Sequence, residues 1–320
     1  MSPSLIPAYH GSLIADALAM PVHWYYNRQA LDRDYPDLTV FTSPLKLHPD
    51  SILWRSQYSS LNEKGNILHD QACFWGQPDI HYHQNLLAGE NTANYKLARL
   101  LYAQVKEAGG YSENAWLELY IEKMLTPGWH RDTYLEEYHR GFFTRYSQGK
   151  DPRKCGIKDE HIGGLATVPA LVAALQGRDR DEIRLTVKSH VTLTHRHSNV
   201  LRAADCLTRL LIDLSEEIPL RQAIMQSAGD WISTKKSTVW ARQEDRDIVG
   251  GKLSSACYID QAFPAALYLA WKYHNDFEAA IIANAKVGGD NCHRAAVVGA
   301  LVAISQPEKV ANWTANLHDI

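Results

Sequence analysis

Lys286-Val-Gly-Gly-Asp-Asn-Cys-His-Arg-Ala-Ala-Val-Val-Gly-Ala-Leu-Val-Ala-Ile304 is the stretch on which the fold turns. After Arg294 the run is uninterruptedly apolar and made mostly of small residues, which reads as a buried helix. Ala295, Ala296, Gly299 and Ala300 let such a helix approach its neighbours closely. Asp290 or Asn291 suits its N-cap, and the exposed N–H groups at its start favour anions. Gly288-Gly289 suits a turn that brings the backbone close to a ligand. An ordinary capped core helix explains Asp290 and the glycines but not Cys292-His293-Arg294, so this polar tip is the first candidate site.

Working outward, the periodicity elsewhere is helical. Asn91 to Val105, Ala115 to Met124 and Asn199 to Leu214 each carry one apolar face. Leu165 to Leu175 has almost no polar residue and reads as a buried central helix, with Pro169 in its first turn or kinking it. Phe263 to Tyr273 and Phe277 to Ala285 continue the pattern. Strand signals are confined to Leu38–Phe41 and Ile52–Trp54, inside a Pro- and Tyr-rich stretch from about Pro36 to Pro78. No repeat or composition break marks a linker. The chain is expected to be all-α, one compact multi-helix domain over residues 1–320.

Composition narrows the function classes. With 45% apolar and 22% charged residues, a 320-residue chain can bury a sizeable core. Its formal net charge is −3 without a basic block, so nucleic acid is not the expected partner. No apolar run reaches membrane-spanning length, and the start of the chain lacks a signal-peptide pattern. Five cysteines without paired spacing suggest reduced thiols and a cytoplasmic location. The oligomeric state is left open. The unusual count is histidine, at 15.

Several of those histidines fall in polar clusters. His81-Tyr-His83 leads into Gly89-Glu90-Asn91-Thr92, which opens an amphipathic helix much as Gly289-Asp290-Asn291 opens the last one. If the two helix starts converge, Glu90, Asn91 and Asp290 offer oxygen ligands to a hard cation. Trp129, His130, Tyr134, Tyr138 and His139 form a third cluster, suited to stacking an aromatic ligand. There Asp132 reads as an N-cap, with Glu136 and His139 three apart on one helical face. A fourth combines Asp159-Glu-His161-Ile-Gly163-Gly164 with Leu193-Thr-His195. Four or five polar helix starts on one scaffold suggest a shared pocket.

In order and spacing these motifs resemble the ADP-ribosylglycohydrolase family, which includes dinitrogenase-reductase-activating glycohydrolases and J1-crystallins. Gly11-Ser-Leu-Ile-Ala-Asp16-Ala-Leu-Ala-Met-Pro21 resembles the family's opening helix. Gly89-Glu-Asn-Thr92 stands where the family has Thr-Asp-Asp-Thr, and Leu193-Thr-His195 matches a further element. Gly288-Gly-Asp290 resembles the start of the closing Gly-Gly-Asp-Thr-Asp-Thr, but Cys292 replaces its second aspartate and His293 a threonine. The resemblance implies an all-α domain with a metal centre that binds ribose hydroxyls, normally two magnesium ions. Two carboxylates are lost here, so one ion on Glu90, Asn91 and Asp290, or none, is expected.

The expected activity is hydrolysis of an N- or O-glycosidic bond to ribose in ADP-ribose or a related compound, free or attached to a protein. Glu90 and Asp290 are candidates to bind metal or activate water. His293, at a helix N-terminus, is expected to have a depressed pKa and act as a neutral base. Arg294 or Arg140 is expected on a pyrophosphate. Two alternatives stand beside this reading: a different chemistry using Cys292 as a lowered-pKa nucleophile, or a catalytically silent, J1-crystallin-like binding protein.

Overall fold

A computed structural model describes residues 3–318; residues 1, 2, 319 and 320 of the expected domain lie outside the described residues. The α-helices follow one another as α1 (Ile6–Ala19), α2 (Arg28–Asp34), α3 (Ala93–Ala108), α4 (Glu113–Leu125) and α5 (Glu137–Ser147). They continue with α6 (Val168–Ala174), α7 (Arg180–Thr192), α8 (Ser198–Ser215), α9 (Leu220–Ser227) and α10 (Thr234–Trp240). The last are α11 (Asp245–Ile248), α12 (Ile259–Lys272), α13 (Phe277–Lys286), α14 (Asn291–Ala303) and α15 (Pro307–Thr314). The all-α expectation is met, and helices from both ends of the chain share one apolar core.

The most extensive helix pair is α1 with α14. It rests on two glycines: a methyl group on Gly11 or on Gly299 would overlap the other's backbone. All thirteen residues of α14 are buried. The apolar run that decided the fold thus lies at the centre of the molecule, with α12 and α13 also packed against it. The expected central helix is α6, with Pro169 in its first turn where no intrahelical N–H is missed.

Neither segment with a strand signal forms a strand. Among the described residues β-pairing is limited to isolated bridges, such as Leu47 with Ile80 and His161 with Tyr258. Residues 36–80 instead run as loop and short 3-10 turns (Leu53–Arg55, Glu63–Gly65, His69–Phe74). A short apolar triplet has too few ladder partners to make a strand here, and Leu38 and Leu53 bury themselves against helices and aromatic rings instead.

The two glycines before α14 also differ from expectation. Gly288 and Gly289 have φ of +69° and +65°, and a side chain on either would strike the backbone of Tyr25 or Ser255. Gly289 N–H donates to the Tyr25 carbonyl (2.7 Å) and Asp290 N–H to that of Ser255 (2.8 Å). What approaches this turn is the chain's own backbone, which fixes the start of α14 against two loops.

Candidate active site

At that helix start Asp290 occupies the N-cap position, yet its side chain makes no capping hydrogen bond. The carboxylate turns inward. Oδ1 lies 2.5 Å from His293 Nδ1 and 2.9 Å from His23 Nε2, while Oδ2 faces His161 Nε2 at 3.4 Å and has no hydrogen-bond partner. Asp290, His23 and His293 are essentially inaccessible to solvent.

The polar chain extends both ways. His23 Nδ1 is 2.7 Å from His83 Nε2, and His83 Nδ1 is 2.8 Å from Asp132 Oδ1. On the other side, His293 Nε2 lies 3.2 Å from Glu136 Oε1 and 3.1 Å from the Asn94 amide. Asn94 in turn bonds Tyr138 and His139, and His139 bonds Tyr120. The row Asp132–His83–His23–Asp290–His293–Glu136 contains five contacts and three imidazoles. Each contact needs a proton and a neutral imidazole brings one, so the row holds two beyond its neutral histidines.

The titration behaviour follows this geometry. Burial alone would depress His293, but Asp290 and Glu136 push it up to about 10. Burial raises Asp290, yet His293, His161 and His23 together hold it well below the usual carboxylate range. Glu136 is lowered against its burial by the same His293. Burial drives His23 down to about 3 and His139 to about 4, and lowers His161. The helix N-terminus was expected to depress His293; two carboxylates outweigh it.

Cys292 departs from expectation for a related reason. Its thiol is buried and directed at the Asp16 carbonyl (3.7 Å), and burial with the Asp16 and Asp290 charges raises its pKa well above the usual value. Arg294 is buried as well. Its guanidinium donates to the carbonyls of Ser255 (3.0 Å) and Gly288 (2.5 Å) and to the side chain of Asn284 (3.2 Å), bracing the glycine turn and leaving no face for a pyrophosphate.

The two glycine-led helix starts do meet. Asn94 on α3 touches His293, and the Tyr95 hydroxyl donates to the Cys292 carbonyl (2.6 Å). Glu90 itself is turned elsewhere: it accepts from Lys96 Nζ (2.6 Å), Arg131 (2.5 Å) and the Leu87 N–H (2.9 Å). Asn91 donates to Asp16 (2.9 Å) and the Leu13 carbonyl (2.8 Å). Asp16 is held by Asn91 and Thr92, while burial raises its pKa to about 6.

The remaining candidates divide into two groups. His83, Tyr134, His139 and His161 surround the polar row or its mouth, and His195 packs at a tilt on Tyr138 with ring centroids 4.2 Å apart. Gly163 and Gly164 have no room for side chains beside His161, Tyr138 and His195. His81 and His130 are taken by backbone carbonyls, of Pro21 and Ile67, and Trp129 packs edge-on to His130. Asp132 is not a cap; α5 starts later, with Glu136 at its N-cap.

Sequence reasoning missed His23, the Asp132 carboxylate, Asn94, Cys257 and Tyr26. Trp24, held at φ +63° in a region rare for bulky residues, stacks on His23 at 3.9 Å and meets Tyr82 and Tyr134 edge-on. Trp75 stacks on Tyr134 at 5.3 Å, with the Arg140 guanidinium over both rings. Tyr26 and Tyr258 are exposed, and the Tyr26 phenol lies within reach of the Asp290 charge. An aromatic lip therefore overlies a buried acidic and imidazole centre.

These residues do not fit a magnesium pair, which demands oxygen ligands in octahedral geometry. Among the described residues, the groups with ligand atoms within 4.8 Å of one another are His23–Asp290–His293 and His161–Cys257–Asp290, each with one carboxylate. His161 Nδ1 accepts the Gly163 N–H (2.8 Å), so the ring proton sits on Nε2 and that nitrogen has no lone pair for a metal.

No curated protein matches the chain. Among solved structures, an ADP-ribosylglycohydrolase-related protein complex shares the fold, with a TM-score of 0.59 at 17% identity over 94% of this chain and 86% of that one. A profile of the ADP-ribosylglycohydrolase family matches residues 5–318, nearly the whole chain. The protein belongs to the ADP-ribosylglycohydrolase family.

Proposed function

We propose that the protein hydrolyses a glycosidic bond to ribose in ADP-ribose or a related ribosyl compound. The observation that carries this reading is the Asp290 carboxylate: buried, held ionised by three histidines, and with Oδ2 free of hydrogen bonds. Cleavage at an anomeric carbon develops oxocarbenium character, which an ionised carboxylate in a dry site stabilises. Asp290 Oδ2 supplies that charge and orients the attacking water. Glu136, whose Oε2 is also buried without a partner, adds a second negative oxygen. The aromatic lip of Trp75, Tyr134 and Arg140 offers a stacking surface for a base and a cation for phosphate.

The test is a panel of ribosyl substrates: ADP-ribosylated arginine and serine peptides, ADP-ribose esters and simple nucleosides. Turnover is followed by chromatography for the wild type and Asp290→Asn. Release of ribosyl product by the wild type, abolished in the variant, supports the assignment. Equal turnover by both sinks it. No turnover, with no panel member raising the melting temperature, favours the silent binding reading.

A further inference from the structure

The family resemblance carries an expectation of divalent cations, and the residues present fit them poorly. The structure shows what stands in their place. Glu90, turned away from the row, has its carboxylate bound by both Lys96 and Arg131, and Lys96 is itself buried. Within the row, His293 lies with its two ring nitrogens against Asp290 and Glu136, at 2.5 and 3.2 Å. Glu90, Asp290 and Glu136, all buried, are thus each in contact with a cationic or cation-forming side chain.

We propose that this chain has exchanged divalent cations for protein-borne ones: the site functions without a bound metal, with His293 as a doubly protonated imidazole between Asp290 and Glu136 and with Lys96 and Arg131 on Glu90.

The geometry of the row points to this for His293. A carboxylate oxygen 2.5 Å from Nδ1 needs a proton between them, and so does one 3.2 Å from Nε2. The Asn94 amide, 3.1 Å from the same Nε2, then presents its oxygen to that N–H; its nitrogen turns to Tyr138 and His139, which already lie on the far side of the amide. The competing arrangement leaves His293 neutral, with Nε2 accepting from Asn94 and a bare Glu136 carboxylate facing a nitrogen lone pair. Burial makes that arrangement costly, because an ionised carboxylate without a proton donor or counter-charge is poorly tolerated in a dry interior. A divalent ion on Asp290 Oδ1 would have to displace His293 or His23, leaving Glu136 or His83 without a partner, and one on Oδ2 would meet the protonated Nε2 of His161 at 3.4 Å.

The inference concerns the same centre as the proposed hydrolysis, but its readouts need no turnover. Wild-type protein is dialysed against magnesium, manganese or zinc and the retained metal is measured, alongside melting curves with and without each ion. The expected result is well under one ion per chain and an unmoved melting temperature. Stoichiometric retention of any of the three ions overturns the proposal.

Nitrogen-15 resonances of the His293 ring, assigned by comparison with His293→Gln, give an independent reading. An imidazolium pattern at pH 8 supports the proposal, and a neutral tautomer overturns it. In His293→Ala, magnesium, manganese or free imidazole is expected to raise the melting temperature by about 4 °C or more, with no such response in the wild type. A folded His293→Ala indifferent to all three counts against it. Should that variant fail to fold, the dialysis and resonance measurements on the wild type still decide.

Discussion

Asp290 and Glu136, which stand at the N-caps of α14 and α5, hold opposite nitrogens of one imidazole, that of His293. This arrangement sets a pH signature. The folded pKa of His293, about 10, exceeds its unfolded value near 6.5. Its contribution to stability is therefore complete below pH 6.5 and is lost as pH rises through about 10. His23 has the opposite sign: lowered to about 3, it favours the unfolded state as pH falls from 6.5 toward 3. Urea midpoints measured from pH 5 to 10 should peak near neutrality, and His293→Gln should flatten the alkaline decline. An identical alkaline slope in both proteins would contradict the assignment.

Asp290→Asn keeps the shape of the side chain and removes its charge. Turnover of any ribosyl substrate accepted by the wild type is expected to fall at least about 100-fold. Stability should drop by about 1–3 kcal/mol, because two histidines lose a charged acceptor. Circular dichroism should remain helical. A variant with normal kinetics moves the chemistry away from this residue.

The thiols separate a second pair of readings. Cys73 is exposed and Cys257 partly so, whereas Cys155, Cys206 and Cys292 are buried. Iodoacetamide on the native protein should modify Cys73, and Cys257 more slowly, and reach Cys292 only in denaturant. Cys292→Ala should keep activity within a few-fold. Rapid native labelling of Cys292 with loss of activity would revive the thiol nucleophile.

At the lip, Tyr134→Ala removes the ring that stacks on Trp75 and carries Arg140. For an adenine-containing substrate KM should rise about 5- to 10-fold with kcat little changed, the effect of roughly 1 kcal/mol of stacking. A substrate without a base should be indifferent. Equal losses for both substrates would mean that the ring supports the site rather than binding the base.

How far the sequence reveals all this depends on the range of the interaction concerned. Helices were legible because their apolar faces recur locally, and α14 because its small residues leave few other uses. Asp132 and Asp290 show where local reading fails. Both look like caps, and a cap contributes about 1 kcal/mol. Hydrogen bonds to charged groups contribute about 1.5–3 kcal/mol, and each carboxylate instead follows a histidine: His83, 49 residues from Asp132, and His23, 267 residues from Asp290. Nothing local marks His23 among 15 histidines. Glu90 was recognised as unusual, but its partner Arg131 lies 41 residues away, and without it the carboxylate looks available.

The crossing of α1 and α14 can be tested by volume alone. Gly299→Ala places a methyl group against the Gly11 backbone, which has no flexible side chain to move aside. Overpacking usually costs about 1–3 kcal/mol, and a backbone-on-backbone clash should reach the top of that range or exceed it. Chemical denaturation measures it; an unchanged midpoint would refute so close a crossing.

That crossing also fixes the moment at which the protein becomes competent. During synthesis, Gly11 and His23 emerge from the ribosome long before Gly299 and Asp290 exist to receive them. At about 5–20 residues per second, the first helix waits tens of seconds with its binding groove bare. A chain stalled just before Asp290 therefore carries α1 to α13 but neither α14, which completes the centre, nor α15, and is expected to be a client for chaperones rather than a partly working protein.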